Sequence, residues 1–195
     1  MKLAAALVVT LAASASFQWP VPEGWKHETI PFPLDFAPDL SYQGVEELRF
    51  SPGMFKPDQA GYWSYAFVWW LEGQPTLGAG ELNASLAQYF AGLCTSVAKD
   101  KGQTVDPSIF SASIRLVNST PRKLGHAVTS FTGTVDSYDP FVTGKPIVLN
   151  VEVWVWDCDP SGKRAVMVLA SPKPQNAAIW TSLRKRRDEL VCHER

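Results

Sequence analysis

The chain has 195 residues, 46% of them apolar and 19% charged, and its formal net charge is −1. So balanced a charge leaves no electrostatic footprint for nucleic acid, and the composition excludes a disordered or low-complexity chain. A chain of this size buries roughly 70% of its unfolded surface, enough for a core without many cross-links.

The N-terminus reads MKLAAALVVTLAASAS. Lys2 precedes an apolar run from Leu3 to Ala13, and small residues follow at Ala13, Ser14 and Ala15. This is the layout of a secretory signal peptide over residues 1–15, cleaved after an A-x-A-like site. The run is too short to cross a bilayer, which takes about 20 residues. The expectation is an exported protein, periplasmic or extracellular, with no stable membrane span.

Residues 16–40 hold Pro20, Pro22, Pro31, Pro33 and Pro38. Each proline lacks a backbone donor, so the segment predicts an extended lead-in and not a central strand. Its aromatics, Trp19, Trp25, Phe32 and Phe36, predict that it lies against the body. Residues 41–195 read as a single α+β domain.

Tyr42 to Phe50 reads as a strand. Residues 62–73 follow as YWSYAFVWWLEG, an aromatic run bounded by Gly61 and Gly73 and of strand length. Alternation puts Trp63, Tyr65, Phe67, Trp69 and Leu71 on one wholly apolar face. Tyr62, Ser64, Ala66, Val68, Trp70 and Glu72 make a mixed face. From Glu81 to Lys101, Leu82, Leu86, Tyr89, Phe90, Leu93 and Val97 recur at helical spacing, with Gly102 as a stop. Ile109 to Val117 and Gly125 to Asp136 read as strands. Ile147 to Asp157 is a strong one: Ile147, Leu149, Val151, Val153 and Val155 face one way, and Val148, Asn150, Glu152, Trp154 and Trp156 the other. The turn CDPSGK leads into Arg164 to Ala170 and closes a hairpin. The last element is a helix from Asn176, a candidate N-cap, to Val191, with Ile179, Trp180, Leu183, Leu190 and Val191 as its apolar stripe.

This order predicts an α+β fold: one mostly antiparallel sheet of about five to seven strands with two amphipathic helices packed on it. The aliphatic face is expected under both helices, with the mixed face opposite.

Of three cysteines, Cys94 lies mid-helix and reads as a buried thiol. If the last helix runs back along the preceding strand, it returns Cys192 to the hairpin end that holds Cys158. That geometry predicts a Cys158–Cys192 disulfide. His27, His126 and His193 are far apart in sequence and fit no metal-ligand spacing, so neither a metal nor a cofactor is expected. Asn83 and Asn118 open glycosylation sequons. The basic cluster Arg184-Lys185-Arg186-Arg187, followed by Asp188 and Glu189, reads as a solvated helix face.

Candidate binding residues are Trp70, Glu72, Asn150, Glu152, Trp154 and Trp156. Flat aromatics beside carboxylate and amide groups suit a sugar or a small amphipathic ligand. The competing reading packs Trp154 and Trp156 under the proline-rich segment, with Trp19 and Trp25. A pairing of Glu72 with Glu152 would suit acid–base hydrolysis. No catalytic residue is assigned. The leading expectation is a non-catalytic binding or accessory module of the cell envelope, whose partner is a small molecule, a glycan or an envelope protein. The alternatives are an envelope hydrolase using Glu72 and Glu152, and a structural partner of another envelope protein.

The segments GWKHETIPFPLDFAP, GVEELRFSPGMF, YWSYAFVWWLEG and VWVWDCDPSGKRAVMVLASP, with the Leu-rich helix ending GLC, resemble a group of uncharacterised exported bacterial proteins. The resemblance covers nearly all of the mature chain. It implies export and transfers no catalytic residue. The order of elements is similar to that of PsbP/Mog1-type α/β/α sandwiches, an analogy of fold that says nothing about a site.

Overall fold

The computed structural model describes residues 17–117, 127–158 and 162–192. The proposed signal peptide, the sequon at Asn118, His126 and His193 lie outside them.

The elements run β1 (Phe17–Gln18), β2 (Lys26–Pro31), β3 (Gly44–Phe50), β4 (Tyr65–Glu72), α1 (Ala79–Asp100), β5 (Ser111–Leu116), β6 (Val128–Asp139), β7 (Lys145–Cys158), β8 (Lys163–Ser171), α2 (Ala178–Glu189) and β9 (Val191–Cys192). Seven strands form one antiparallel sheet in the order β2-β3-β4-β8-β7-β6-β5. β1 and β9 make a separate two-stranded pair. The α+β expectation holds.

The aliphatic face does not lie under both helices, contrary to the expectation from sequence: α1 and α2 pack on opposite faces of the sheet. Leu82, Leu86, Tyr89 and Phe90 of α1 pack with Phe67, Trp69, Val153 and Val168. Trp180 and Leu183 of α2 pack on the opposite side, with Ala66, Val68, Met167 and Leu169. The reason lies in the central strands. Tyr65 to Leu71 and Ala165 to Ala170 are buried without interruption, and a strand apolar on both faces needs cover on both. The run RAVMVLA carried that signal.

The lead-in also enters the body. Lys26–Pro31 is an edge strand on β3, and Pro31 sits at its end, where a missing donor costs least. Further upstream, Arg49 anchors the chain. Its Nη2 donates to Trp19 O at 2.6 Å, its Nε to Pro20 O at 3.3 Å, and its guanidinium lies 4.3 Å from the Trp19 ring centroid.

The last helix is shorter than its periodicity suggested. Ala177, not Asn176, occupies the N-cap, and no side chain caps it. At the other end Val191 and Cys192 leave the helix to pair with Gln18 and Phe17. The turn-back brings Cys192 to disulfide distance from Cys158, with Cα atoms 5.7 Å apart, as the strand and helix lengths predicted. Cys94 is fully buried, and burial pushes its thiol up to about 11. Among the described residues, no helix is long and apolar enough to cross a membrane.

Gly92 positions the chain around α1. A Cβ there would meet Phe36 O at 2.0 Å, so only glycine lets the segment after β2 cross the helix this closely.

Candidate functional site

The register brings the tryptophan-bearing residues onto one face but closes that face. Trp70 and Trp156 flank Ala165 in one row across β4, β8 and β7. They are 3% and 6% exposed. The Phe17 ring packs at a tilt against Trp70, with centroids 4.7 Å apart, and Trp156 Nε1 donates to Cys192 Sγ at 3.4 Å. Trp19 and Trp25 of the lead-in belong to the same cluster. Trp154 lies under the Arg187 guanidinium, 4.5 Å from its ring centroid. Asn150 Nδ2 donates to Lys173 O at 3.1 Å.

The carboxylates are not brought together. The register aligns Glu72 with Cys158, six residues along β7 from Glu152, so about 20 Å separates them along the strands. Paired glycosidase carboxylates stand about 5–10 Å apart. Glu72 is at the surface with Lys163 Nζ at 2.6 Å, while Glu152 accepts from Arg184 Nη2 at 2.5 Å. Each is committed to a cation of its own.

That second pairing revises the reading of the basic cluster. Only Lys185, with a side chain 70% exposed, stands fully in solvent. Arg184 reaches Glu152, Arg186 is buried beside Trp25 at 5.3 Å, and Arg187 covers Trp154. Arginine stems and planar heads cover aromatic surface well, which composition alone does not reveal.

The opening is on the other face. A pocket of 460 Å³ lies between the β2 edge, the loop after β3 and the C-terminal half of α1. Phe36, Leu48, Phe50, Met54 and Phe55 supply one side; Tyr89, Leu93, Val97 and Phe141 supply the other; Trp63 and Tyr65 line it too. At its outer edge are Lys26, His27 and Glu28, all exposed. The sheet register explains the wall. Lys26, Phe50 and Tyr65 share one row, Glu28, Leu48 and Phe67 the next, and Ile30, Glu46 and Trp69 the third. α1 lies mainly across β5 and β6, which leaves the β2–β3 end to loops.

The core beside this pocket is polar in an unusual way. Glu46 is fully buried, and Trp69 Nε1 donates to its Oε1 at 3.0 Å. Burial pushes the carboxyl up to about 8, outweighing the lowering effect of Trp69 and Tyr89. Burial and the neighbouring Glu46 also raise the phenols of Tyr65 and Tyr89. Glu46 Oε2, Tyr65 Oη and Trp63 Nε1 make no hydrogen bond among the described residues. Their polar neighbours lie close enough to shift protonation, yet outside hydrogen-bond geometry.

Asp139 organises the turn that brings Phe141 to the pocket. It accepts from the backbone N–H groups of Phe141, Val142 and Thr143, from Thr143 Oγ1, and from the Tyr62 hydroxyl. Burial opposes its charge, but these donors and the nearby Trp63 indole win, and its pKa falls to about 2. This carboxylate shapes the 139–144 turn that carries Phe141.

Asn83 is occupied structurally: its Oδ1 accepts from Ile114 N at 2.8 Å and ties α1 to the β5 edge. Among the described residues, no group of three His, Cys, Asp or Glu side chains is placed to hold a metal. The VEELRF strand is where a sequence signal for the pocket lies. Glu46 stands on the apolar side with Leu48 and Phe50, an alternation that could have flagged a buried carboxyl beside a cavity.

No protein-family model, no curated protein and no solved structure matches the chain.

Proposed function

We propose that the protein is an exported, non-catalytic binding module of the cell envelope that holds a small amphipathic molecule between β2–β4 and α1. The observation that carries the reading is the 460 Å³ pocket with aromatic and aliphatic walls. Ligand sites of small molecules typically occupy about 300–1,000 Å³ and are predominantly apolar. Export is supported by the charged, apolar and small-residue order of the first fifteen residues and by Cys158 and Cys192 at disulfide distance. A hydrolase built on Glu72 and Glu152 gains no support from the register, which keeps those carboxylates apart.

Titration with anilinonaphthalene sulfonate tests the reading. Saturable fluorescence enhancement at one site is expected, and Leu93→Trp, which fills the pocket from α1, should abolish it while far-UV circular dichroism stays unchanged. Val97→Trp provides a second filling variant. The reading is rejected if the dye does not bind, or if it binds well-folded filled variants as tightly as the original chain.

A further inference from the structure

The pocket is lopsided in polarity, and that asymmetry identifies the kind of head group it takes. Its inner wall is aromatic and aliphatic, with Tyr65 and Tyr89 each 1% exposed. Its outer edge is β2, the edge strand of the sheet. Side chains alternate along a strand, so the residues of β2 that face the pocket are those in register with the pocket-facing residues of β3. These are Lys26, opposite Phe50, and Glu28, opposite Leu48. One ammonium and one carboxylate therefore stand side by side over the mouth, about 7 Å apart along the strand. Both residues are exposed, and neither forms an ion pair among the described residues. By contrast, Glu47 on the other face of β3 accepts from Arg49 at 2.9 Å.

A ligand whose apolar part enters between Phe36, Met54 and Leu93 leaves its polar end at these two charges. An anionic head would meet Lys26 favourably and Glu28 unfavourably; a cationic head, the reverse. A head carrying both signs matches both. We propose, on the basis of the binding reading above, that the pocket takes a single-chain zwitterionic amphiphile. Its chain lies against the aromatic wall, its anionic group faces Lys26, and its cationic group faces Glu28. The molecule is captured as a monomer, because the pocket is a cavity of one-ligand size and not an extended apolar face.

The experiment compares four amphiphiles with the same ten-carbon chain, each below its micelle concentration: decylphosphocholine, decyl sulfate, decyltrimethylammonium and decyl maltoside. Binding is followed by calorimetry and by displacement of anilinonaphthalene sulfonate. The expected order puts decylphosphocholine first. Lys26→Glu should turn the preference toward decyltrimethylammonium, and Glu28→Lys toward decyl sulfate. Each swap should move the ratio of dissociation constants about fivefold, the scale of exposed ion pairs changed from attraction to repulsion. Both positions are exposed, so the swaps leave the core intact, and an unchanged far-UV circular dichroism spectrum and melting temperature report that directly.

If the four compounds bind equally well and the swaps leave their order unchanged, the head-group assignment is overturned while the binding reading stands. If none binds, both fail. Co-sedimentation with phosphatidylcholine vesicles without binding of the monomer would also overturn the proposal, in favour of a membrane surface.

Discussion

The two faces of the central sheet are built from similar residues and finished differently. On the α2 face every tryptophan finds cover. Trp19 Nε1 donates to Arg186 O at 2.8 Å, Trp180 Nε1 to Lys173 O at 2.9 Å, and arginines lie over Trp19, Trp25 and Trp154. On the α1 face a cavity remains beside the unsatisfied polar atoms of Glu46, Tyr65 and Trp63, whereas the unsatisfied Arg186 Nε and Glu189 Oε2 of α2 do not border it. The difference follows from what each face was given for a roof. The α2 face is closed by three separate pieces: the lead-in, the helix, and the β9 strand held near Cys158. Short pieces adjust independently and fill gaps. α1 is one rigid rod of 22 residues seated over β5 and β6, so the far end of its face is left to loops. Close packing is the rule in protein interiors, and a void with orphaned polar groups is the departure that needs a use.

Truncating the closed face should give the largest effect. Trp180 is fully buried and hydrogen-bonded. Trp180→Ala is expected to cost about 3–5 kcal/mol, combining lost burial with a new cavity; Asn150 Nδ2 still serves the Lys173 carbonyl. Leu93→Ala, on the wall of an existing pocket, should cost about 1–2 kcal/mol because part of its surroundings is already open. Chemical denaturation of both variants measures the contrast. Equal losses would mean that the α1 face is as tightly filled as the other.

A second difference between the faces is electrostatic, and pH reads it. The folded chain holds the Glu46 proton up to about pH 8, whereas the unfolded chain releases it near 4.5. Between those values the native state binds more protons than the unfolded one, so stability falls as pH rises through that window and levels off above it. Glu46→Gln keeps an acceptor for Trp69 Nε1 and removes the titration. The variant's advantage should therefore be small at pH 5 and grow to pH 8, reaching at most a few kcal/mol. Melting temperatures across that range decide it; a constant offset would show that Glu46 is ionised in the folded state. Asp139 acts in the opposite sense and in a different window: its stabilisation is present at neutral pH and is lost as pH falls from about 4 towards 2.

What the sequence disclosed tracks the strength of periodic signals. The alternation in YWSYAFVWWLEG and VLNVEVWVWD placed the central strands, and the lengths of the last strand and helix placed Cys192 beside Cys158. Boundaries drifted where local chemistry is ambiguous. β6 begins at Val128 and ends at Asp139, three residues past the Asp136 expected, because SYD continues the pairing with β7. The site was harder to read. Trp70, Trp154 and Trp156 share one face, and the reading that packs Trp154 and Trp156 with Trp19 and Trp25 of the lead-in matches the structure, but nothing in their spacing says that α2 meets them too. Those contacts join residues far apart in the chain, as with Trp19 and Arg186. The pocket depends on such long-range placement entirely, since its wall draws on β2, β3, β4, α1 and three loops.

The smallest expected effect concerns the arginine cover. Arg187 lies 4.5 Å from the Trp154 ring and also pairs with Asp188 at 2.7 Å, at a site still partly open to water. Cation–π contacts at such sites contribute about 0.5–1 kcal/mol. Arg187→Ala should lose that amount, and Trp154 emission should shift to the red as water reaches the ring. Arg187→Lys separates charge from shape. An ammonium preserves the charge but lacks the planar head that lies over the indole, so most of the red shift should remain. Full recovery by lysine would assign the cover to charge alone and weaken the contrast drawn between a face sealed by arginine shape and a face left open.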